Sequence, residues 1–594
     1  MHDTRQSKTG MPAALLALLA LLALLAPLAG ACGAPPEKKP DGPALLEVHL
    51  EMPAAESPAG DLLEVPRLSH REVLAQIDEV ASEEHLKGLF LRVGGLGGAW
   101  ARAEDYQRAL GHVREAGKPV HCYFEGTDNL GYSLMARSCD RISMTPAGLL
   151  NLVGLRAQAI YARKFLDELG LRAELLHVGK YKGAANAMTL EEMPESARET
   201  MDDMLDDLHS DLVAAVASRD DVARGDVQAA LDGGPYTAQA ALAAKLVDAV
   251  AFDDEARERA RQAASASRIE RAPALVKQEA AGLSEMLAAL GGELEEADIE
   301  GPHVALVNLE GTIVRGGTQS RSGAHADSFV REMRKLADDS DVRAVVVRIH
   351  SPGGSAMASD LMWQAMRRVA GRKPVVASLG DMAASGGYYV AVGATEIIAE
   401  AGSLVGSIGV VGGKIVAADL AEKAGVEVRV LRRGQRSAWM SPVFLLSDGE
   451  REAVQAMLNS TYRLFVRRVG QGRDLEHAAV EKVAQGRLMT GRRALDGKLI
   501  DSIGGIDAAL ARARELGELP ADAEVAVWPR RMTFVQQLAL AMGGQAHAAG
   551  ADLITVSSWL PERLNPWADV SLLQQLLTPS QGPAALMPYG IEIR

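Results

Sequence analysis

The chain has 594 residues, too many for a single hydrophobic core, so several domains are expected. Apolar residues make up 48% and charged residues 24%, ordinary values for a globular protein. A net charge of −15, from 63 Lys+Arg against 78 Asp+Glu, excludes a basic footprint for nucleic acid, and 4% aromatics exclude base-stacking platforms.

Residues 1–35 read as a targeting segment. Arg5 and Lys8 precede an apolar run from Ala13 to Ala31, built almost wholly of Leu and Ala, and Ala29, Gly30 and Ala31 lead to Cys32. A charged start, an apolar stretch and a small-residue exit describe a secretory signal. Cys32, directly after that exit, resembles the lipid-accepting cysteine of bacterial lipoproteins, although Leu28 stands one place too far upstream. The alternatives are plain secretion and an uncleaved anchor, for which the 19-residue run just suffices. All three put the body outside the cytoplasm, and the first and last tie it to the membrane of the cell envelope, the expected location.

Beyond the targeting segment the chain aligns with itself at an offset of about 255 residues. Leu86–Val93 followed by Gly97-Gly98 matches Val342–Ile349 followed by Gly353-Gly354, and Gly117-Lys-Pro-Val120 matches Arg372-Lys-Pro-Val375. Glu168–Leu171 answers Lys423–Val426, and Ala243–Asp248 answers Leu495–Asp501. Between these anchors β-branched runs alternate with helical stretches, and the second half is expected to form strands at 342–349, 374–380, 396–400 and 427–432. Such alternation implies an α/β fold with buried, largely parallel sheets, written twice.

The expected boundaries are 36–260 for the first repeat, 261–301 for a helical linker, 302–520 for the second repeat and 521–594 for a tail. That tail, with Trp528, Trp559 and Trp567, either packs on the core or touches the membrane face. Cys122 lies in a strand-like run, Pro119 to Phe124, so a buried free thiol is expected there in preference to a disulfide with Cys139.

The copies differ where chemistry is carried. The second holds Asp381-Met-Ala-Ala-Ser385-Gly-Gly-Tyr-Tyr-Val390, which places a hydroxyl at a tight turn opening a helix. At the offset position the first copy has Leu130, and Ser133 does not restore the pattern. The first copy holds Lys180-Tyr-Lys182-Gly-Ala184, where the second has Ser437. Each half lacks what the other retains, so one composite site is expected, with Ser385 as nucleophile and Lys182 as general base. Lysine serves as a base when its amine is neutral, which burial among small residues such as Gly183, Ala184 and Ala185 favours. Lys180 is read as the solvated lysine of the pair. Gly353, Gly354 and the N–H of Gly386 are the expected oxyanion donors, because glycine permits the close backbone approach such a hole needs. No His/Cys/Asp cluster at metal spacing appears, so neither metal nor cofactor is implied.

Four motifs carry a family resemblance: Ser351-Pro-Gly-Gly-Ser355, Met382-Ala-Ala-Ser-Gly-Gly-Tyr388, Leu404-Val-Gly-Ser-Ile-Gly409 and Tyr181-Lys-Gly-Ala184. Together, from about residue 45 to about 515, the chain resembles the long, duplicated bacterial signal peptide peptidases of the SppA type. That resemblance implies tandem Clp/crotonase-like domains, a Ser–Lys dyad, a membrane-associated homo-oligomer such as a tetramer, and cleaved signal peptides or similar hydrophobic peptides as substrates. It also gives Ser407 the part of holding the lysine amine; otherwise Ser407 reads as a turn-forming hydroxyl. His350 stands where the family usually has Asn and is read as a backbone-bonding residue, not a base. The rival readings are a crotonase-type acyl-CoA enzyme, which the export signal opposes, and a non-catalytic protease-derived scaffold.

Overall fold

The computed structural model describes residues 42–50, 54–56, 68–219, 222, 227–272, 299, 301–316, 323–528, 584–586 and 592–593. The targeting segment with Cys32 lies outside the described residues, as do most of the expected linker and tail.

The two copies build the same sheet twice. In the first, the strand order is Tyr236–Thr237, Arg141–Leu150, Val120–Thr127, Leu86–Val93, Ala44–Leu50, Arg268–Arg271. In the second it is Leu488–Thr490, Leu404–Gly406, Val375–Ala384, Val342–Ser351, His303–Glu310, Val525–Trp528. Pairing inside each sheet is parallel, with one antiparallel strand at one end. Helices cover these strands, so runs such as Val345-Val-Val347 are buried throughout, as parallel sheets require. The first sheet runs on to Arg271 and the second to Trp528, past residues 260 and 520, where the repetition in sequence fades.

Matching hydrogen bonds mark the duplication. Tyr132 donates to Leu246 O at 3.0 Å and Tyr388 to Leu499 O at 2.7 Å. Asp248 accepts from Ile142 N and Asp501 from Ile397 N, and each aspartate also pairs with an arginine, Arg219 or Arg473. With the two tyrosines superposed, Asn129 stands opposite Ser385, where a constant offset of 255 pointed to Leu130. Asn129 ties down the following loop, accepting from Val153 N and donating to Gly154 O.

Two expectations are corrected. Cys122 and Cys139 form a disulfide, with Cα atoms 5.9 Å apart, so Cys122 is not a free thiol. The chain leaves the Val120–Thr127 strand, turns back through helix Asn129–Ser138 and re-enters as the neighbouring parallel strand, which returns Cys139 beside Cys122. The run 427–432, which alternates Val with charged residues, forms no strand, and Val426, Val428, Val430 and Leu431 are exposed. In the first copy the corresponding run, Arg172–Val178, has a sheet edge to join; 427–432 has none among the described residues.

That edge belongs to a third sheet, to which both copies contribute. Arg172–Val178 of the first copy pairs antiparallel along its whole length with Val410–Val416 of the second. A buried polar seam also joins the copies. Arg348 reaches Glu56 (3.0 Å) and Asp105 (3.1 Å), while Arg102 donates to Asp381 from its backbone N–H (3.0 Å) and its Nε (2.5 Å). Burial by itself would raise the Glu56 and Asp105 carboxyls; the Arg348 guanidinium instead holds both below the usual carboxylate range.

Candidate active site

Ser385 is the single residue between the strand Val375–Ala384 and the helix Gly386–Ala391. Its φ of 53° and ψ of −111° lie outside the regions that L-residues favour, a strain of about 1–3 kcal/mol that packing must hold. The following glycines permit it. A Cβ at Gly386 would stand 3.0 Å from Gly354 N, and one at Gly387 would stand 2.8 Å from Ser351 O. The Ser385 amide donates to Gly406 O at 2.7 Å, which fastens the turn to the loop that carries Ser407.

Lys182 arrives from the first copy. The strand Arg172–Val178, held against Val410–Val416, ends in the loop that carries Lys182 into the second copy. There the side chain is fully buried: Nζ lies 2.7 Å from Ser385 Oγ, 2.9 Å from Ser407 O and 2.9 Å from Ser407 Oγ. These partners are all uncharged oxygens, so burial is unopposed and pushes the amine well below its ordinary value. Glycines make room for it, since a Cβ at Gly409 would stand 2.9 Å from Lys182 Cδ and one at Gly486 2.5 Å from Lys182 N.

The other expected residues fall as follows. Ser407 also has positive φ, 51°, and meets the lysine through both its hydroxyl and its carbonyl. Gly353 donates its N–H to Ser351 Oγ at 3.1 Å, so its amide is already engaged, whereas the Gly354 amide packs against Gly386. Lys180 is exposed and bonds Tyr181 Oη at 3.0 Å. His350 accepts through its backbone oxygen from Gly311 N, and its ring faces Asp381 at 4.0 Å, within the polar seam. Ser437, at the position offset from Lys182, sits in an exposed turn.

Sequence reading missed the segment Gln485–Arg487. Gln485 O accepts from Tyr181 N, Gly486 packs on the Lys182 backbone, and Arg487 O accepts from Ser407 N, so one short segment braces both halves of the site. Nothing local marks these residues, about 300 positions from Lys182 in sequence. Helix Glu195–Ala217 was missed too. It packs Met201 and Met204 against Ala384, beside the serine, and binds Arg487 and Arg493 through Asp203 and Asp207.

The duplication also appears in comparison with known proteins. The sequence profile of peptidase family S49 matches residues 112–267 and again 367–520, together just over half of the chain. The chain is 28% identical over 467 residues to "Serine protease SPPA, chloroplastic" of Arabidopsis thaliana, covering 78% of this chain and 67% of that one. It is 29% identical over 470 residues to "Protease 4" of Haemophilus influenzae, covering 76% and 74%. With "Protease 4" of Salmonella typhi the identity is 28% over 466 residues, covering 75% and 72%. Two copies of one protease domain, each matched in its own right, show that the chain belongs to peptidase family S49 and is a serine protease.

Proposed function

We propose that the protein is a membrane-tethered endopeptidase that acylates Ser385, with Lys182 as its general base. One observation carries this reading: a buried lysine amine, held by uncharged oxygens, 2.7 Å from the hydroxyl of a strained serine. A neutral amine has two N–H bonds and one lone pair. The two Ser407 oxygens accept the N–H bonds, which leaves the lone pair for the Ser385 proton. As that proton moves to Nζ, Ser385 Oγ attacks the scissile carbonyl, and the amides of Gly354 and Gly386 are the donors for the oxyanion. The ammonium then gives its proton to the leaving amine, and water, activated by the same lysine, hydrolyses the acyl-enzyme. Burial lowers the lysine toward the neutral form this role requires, with no imidazole needed.

The substrates proposed are cleaved signal peptides and similar apolar peptides. The four motifs and the duplication, resembling that of the signal peptide peptidases, support this reading. The apolar N-terminal run and Cys32 support a membrane tether, and the Cys122–Cys139 disulfide supports a body outside the cytoplasm. The exposed run 427–432 supports a homo-oligomer, because its equivalent in the first copy is satisfied only by a sheet edge. A scaffold role would need a solvated lysine remote from Ser385, which is not the geometry here.

The test is a peptide-cleavage assay on three full-length variants. Ser385→Ala and Lys182→Arg should each lose activity by orders of magnitude, the latter because guanidinium stays protonated. Lys180→Ala should keep most of it. An active Lys182→Arg enzyme, or an inactive Lys180→Ala one, would overturn the assignment.

A further inference from the structure

The base comes from one copy and the nucleophile from the other, so contacts across the join must set the 2.7 Å between Lys182 Nζ and Ser385 Oγ. Several of them converge on Arg487. Its carbonyl oxygen accepts from Ser407 N at 2.7 Å, and Ser407 holds the lysine amine through both of its own oxygens. The same carbonyl packs on Gly406, where a Cβ would stand 3.0 Å from it, and Gly406 O accepts from Ser385 N.

The guanidinium of Arg487 reaches the other half of the site. It lies over the ring of Tyr181, 3.9 Å from the centroid, and Tyr181 directly precedes Lys182. Its Nη2 donates to Glu199 at 2.5 Å and its Nη1 to Asp203 at 2.8 Å, one turn apart on helix Glu195–Ala217. Glu199 also accepts from Tyr181 Oη at 3.0 Å, which closes a ring of contacts among the three residues. A guanidinium suits this place, because its planar fork serves two carboxylates while its face stacks on the ring; an ammonium is a point donor and cannot do both. The Arg487 side chain is 22% exposed, so solvent screens these ion pairs and they add little to stability. What they supply is alignment.

We propose that Arg487 is a positioning residue of the reaction, clamping Tyr181, helix Glu195–Ala217 and the Ser407 loop so that Lys182 meets Ser385. This rests on the reading of Ser385 and Lys182 as nucleophile and base. A displacement of about 1 Å between reacting groups costs about 100-fold in rate, so a slack clamp lowers kcat. A loosened Lys182 also meets water and regains its ordinary affinity for a proton, which moves the acid limb of kcat to higher pH.

The perturbation is Arg487→Lys in the full-length protein, which keeps the charge and loses the fork. With an apolar peptide reporter, kcat per titrated active site should fall at least about 10-fold while KM stays within about twofold, because the clamp bears on the base. The acid limb should move upward. Tyr181→Leu should show the same split, and the double variant should cost little more than either single one, because both break one stack. A purely structural role would instead reduce the number of titratable sites and leave per-site kcat and the pH profile unchanged. That result, a loss carried by KM, or additive losses would each overturn the proposal. Lys182→Arg separates the two readings. If it is inactive while Arg487→Lys turns over normally, the clamp fails and the dyad stands; if it is active, the dyad fails and the clamp with it.

Discussion

Replacing Ser407 by alanine removes one of the two oxygens that hold the lysine amine. Both lie 2.9 Å from Nζ, and the remaining one, the backbone carbonyl, is not altered by the change. Alanine keeps the Cβ, so the positive φ of 51° is no more strained than before. In the ground state the lost contact is a bond from a neutral amine; in the transition state the same nitrogen becomes an ammonium. Hydrogen bonds to charged groups are worth about 1.5–3 kcal/mol and neutral ones about 0.5–1.5. The transition state therefore loses about 1–1.5 kcal/mol more than the ground state, a fall in kcat of about 5- to 13-fold. KM should change little, because substrate binding does not alter the amine's charge. The ammonium form also loses a stabilising acceptor, so the acid limb of the kcat profile should move to lower pH even as the plateau falls. Steady-state kinetics across pH on an apolar peptide reporter, with active-site titration to count folded sites, measures all three quantities. A kcat within about twofold of the parent, or an acid limb displaced upward, would refute the assigned geometry.

Lys182→Met tests the buried amine through stability. The folded amine sits below its ordinary value of 10.5, so at intermediate pH the unfolded chain binds a proton that the folded chain does not. Parent stability is therefore complete above pH 10.5 and declines as pH falls toward the folded value, so the Tm advantage of Lys182→Met should widen from pH 10 to pH 7; a pH-independent difference would contradict the assignment. Arg348→Met leaves Glu56 and Asp105 buried without their shared cation and should cost about 3–5 kcal/mol in urea denaturation, whereas a loss under about 1 kcal/mol would remove the seam as a stabilising element. His350→Asn should leave kcat/KM unchanged, because the ring faces Asp381 and the backbone bond to Gly311 persists; a loss as deep as that of Ser385→Ala would make His350 the base.

Much of this was legible in the sequence because it is local. The duplication shows in repeated strand patterns. The nucleophile shows in Ala-Ala-Ser385-Gly-Gly, where only glycine tolerates the approach of the Ser351–Gly354 turn. The complementary loss of serine in one copy and lysine in the other pointed to a shared site before any contact was known. Tertiary structure decided what depends on partners distant in the chain. Periodicity reports that a residue is buried or extended, never what it meets, so 427–432 read as a strand although it joins no edge among the described residues. For the same reason Cys122 read as a lone thiol, since its pairing depends on where helix Asn129–Ser138 returns the chain. The Gly486 brace, the Arg348 seam and the Arg487 contacts each join residues hundreds of positions apart. Residue type and spacing singled out Ser385 and Lys182 as the groups proposed to perform the chemistry. Only the packing of one copy against the other buries Lys182 among uncharged oxygens, and that burial lowers the amine as the proposed base requires.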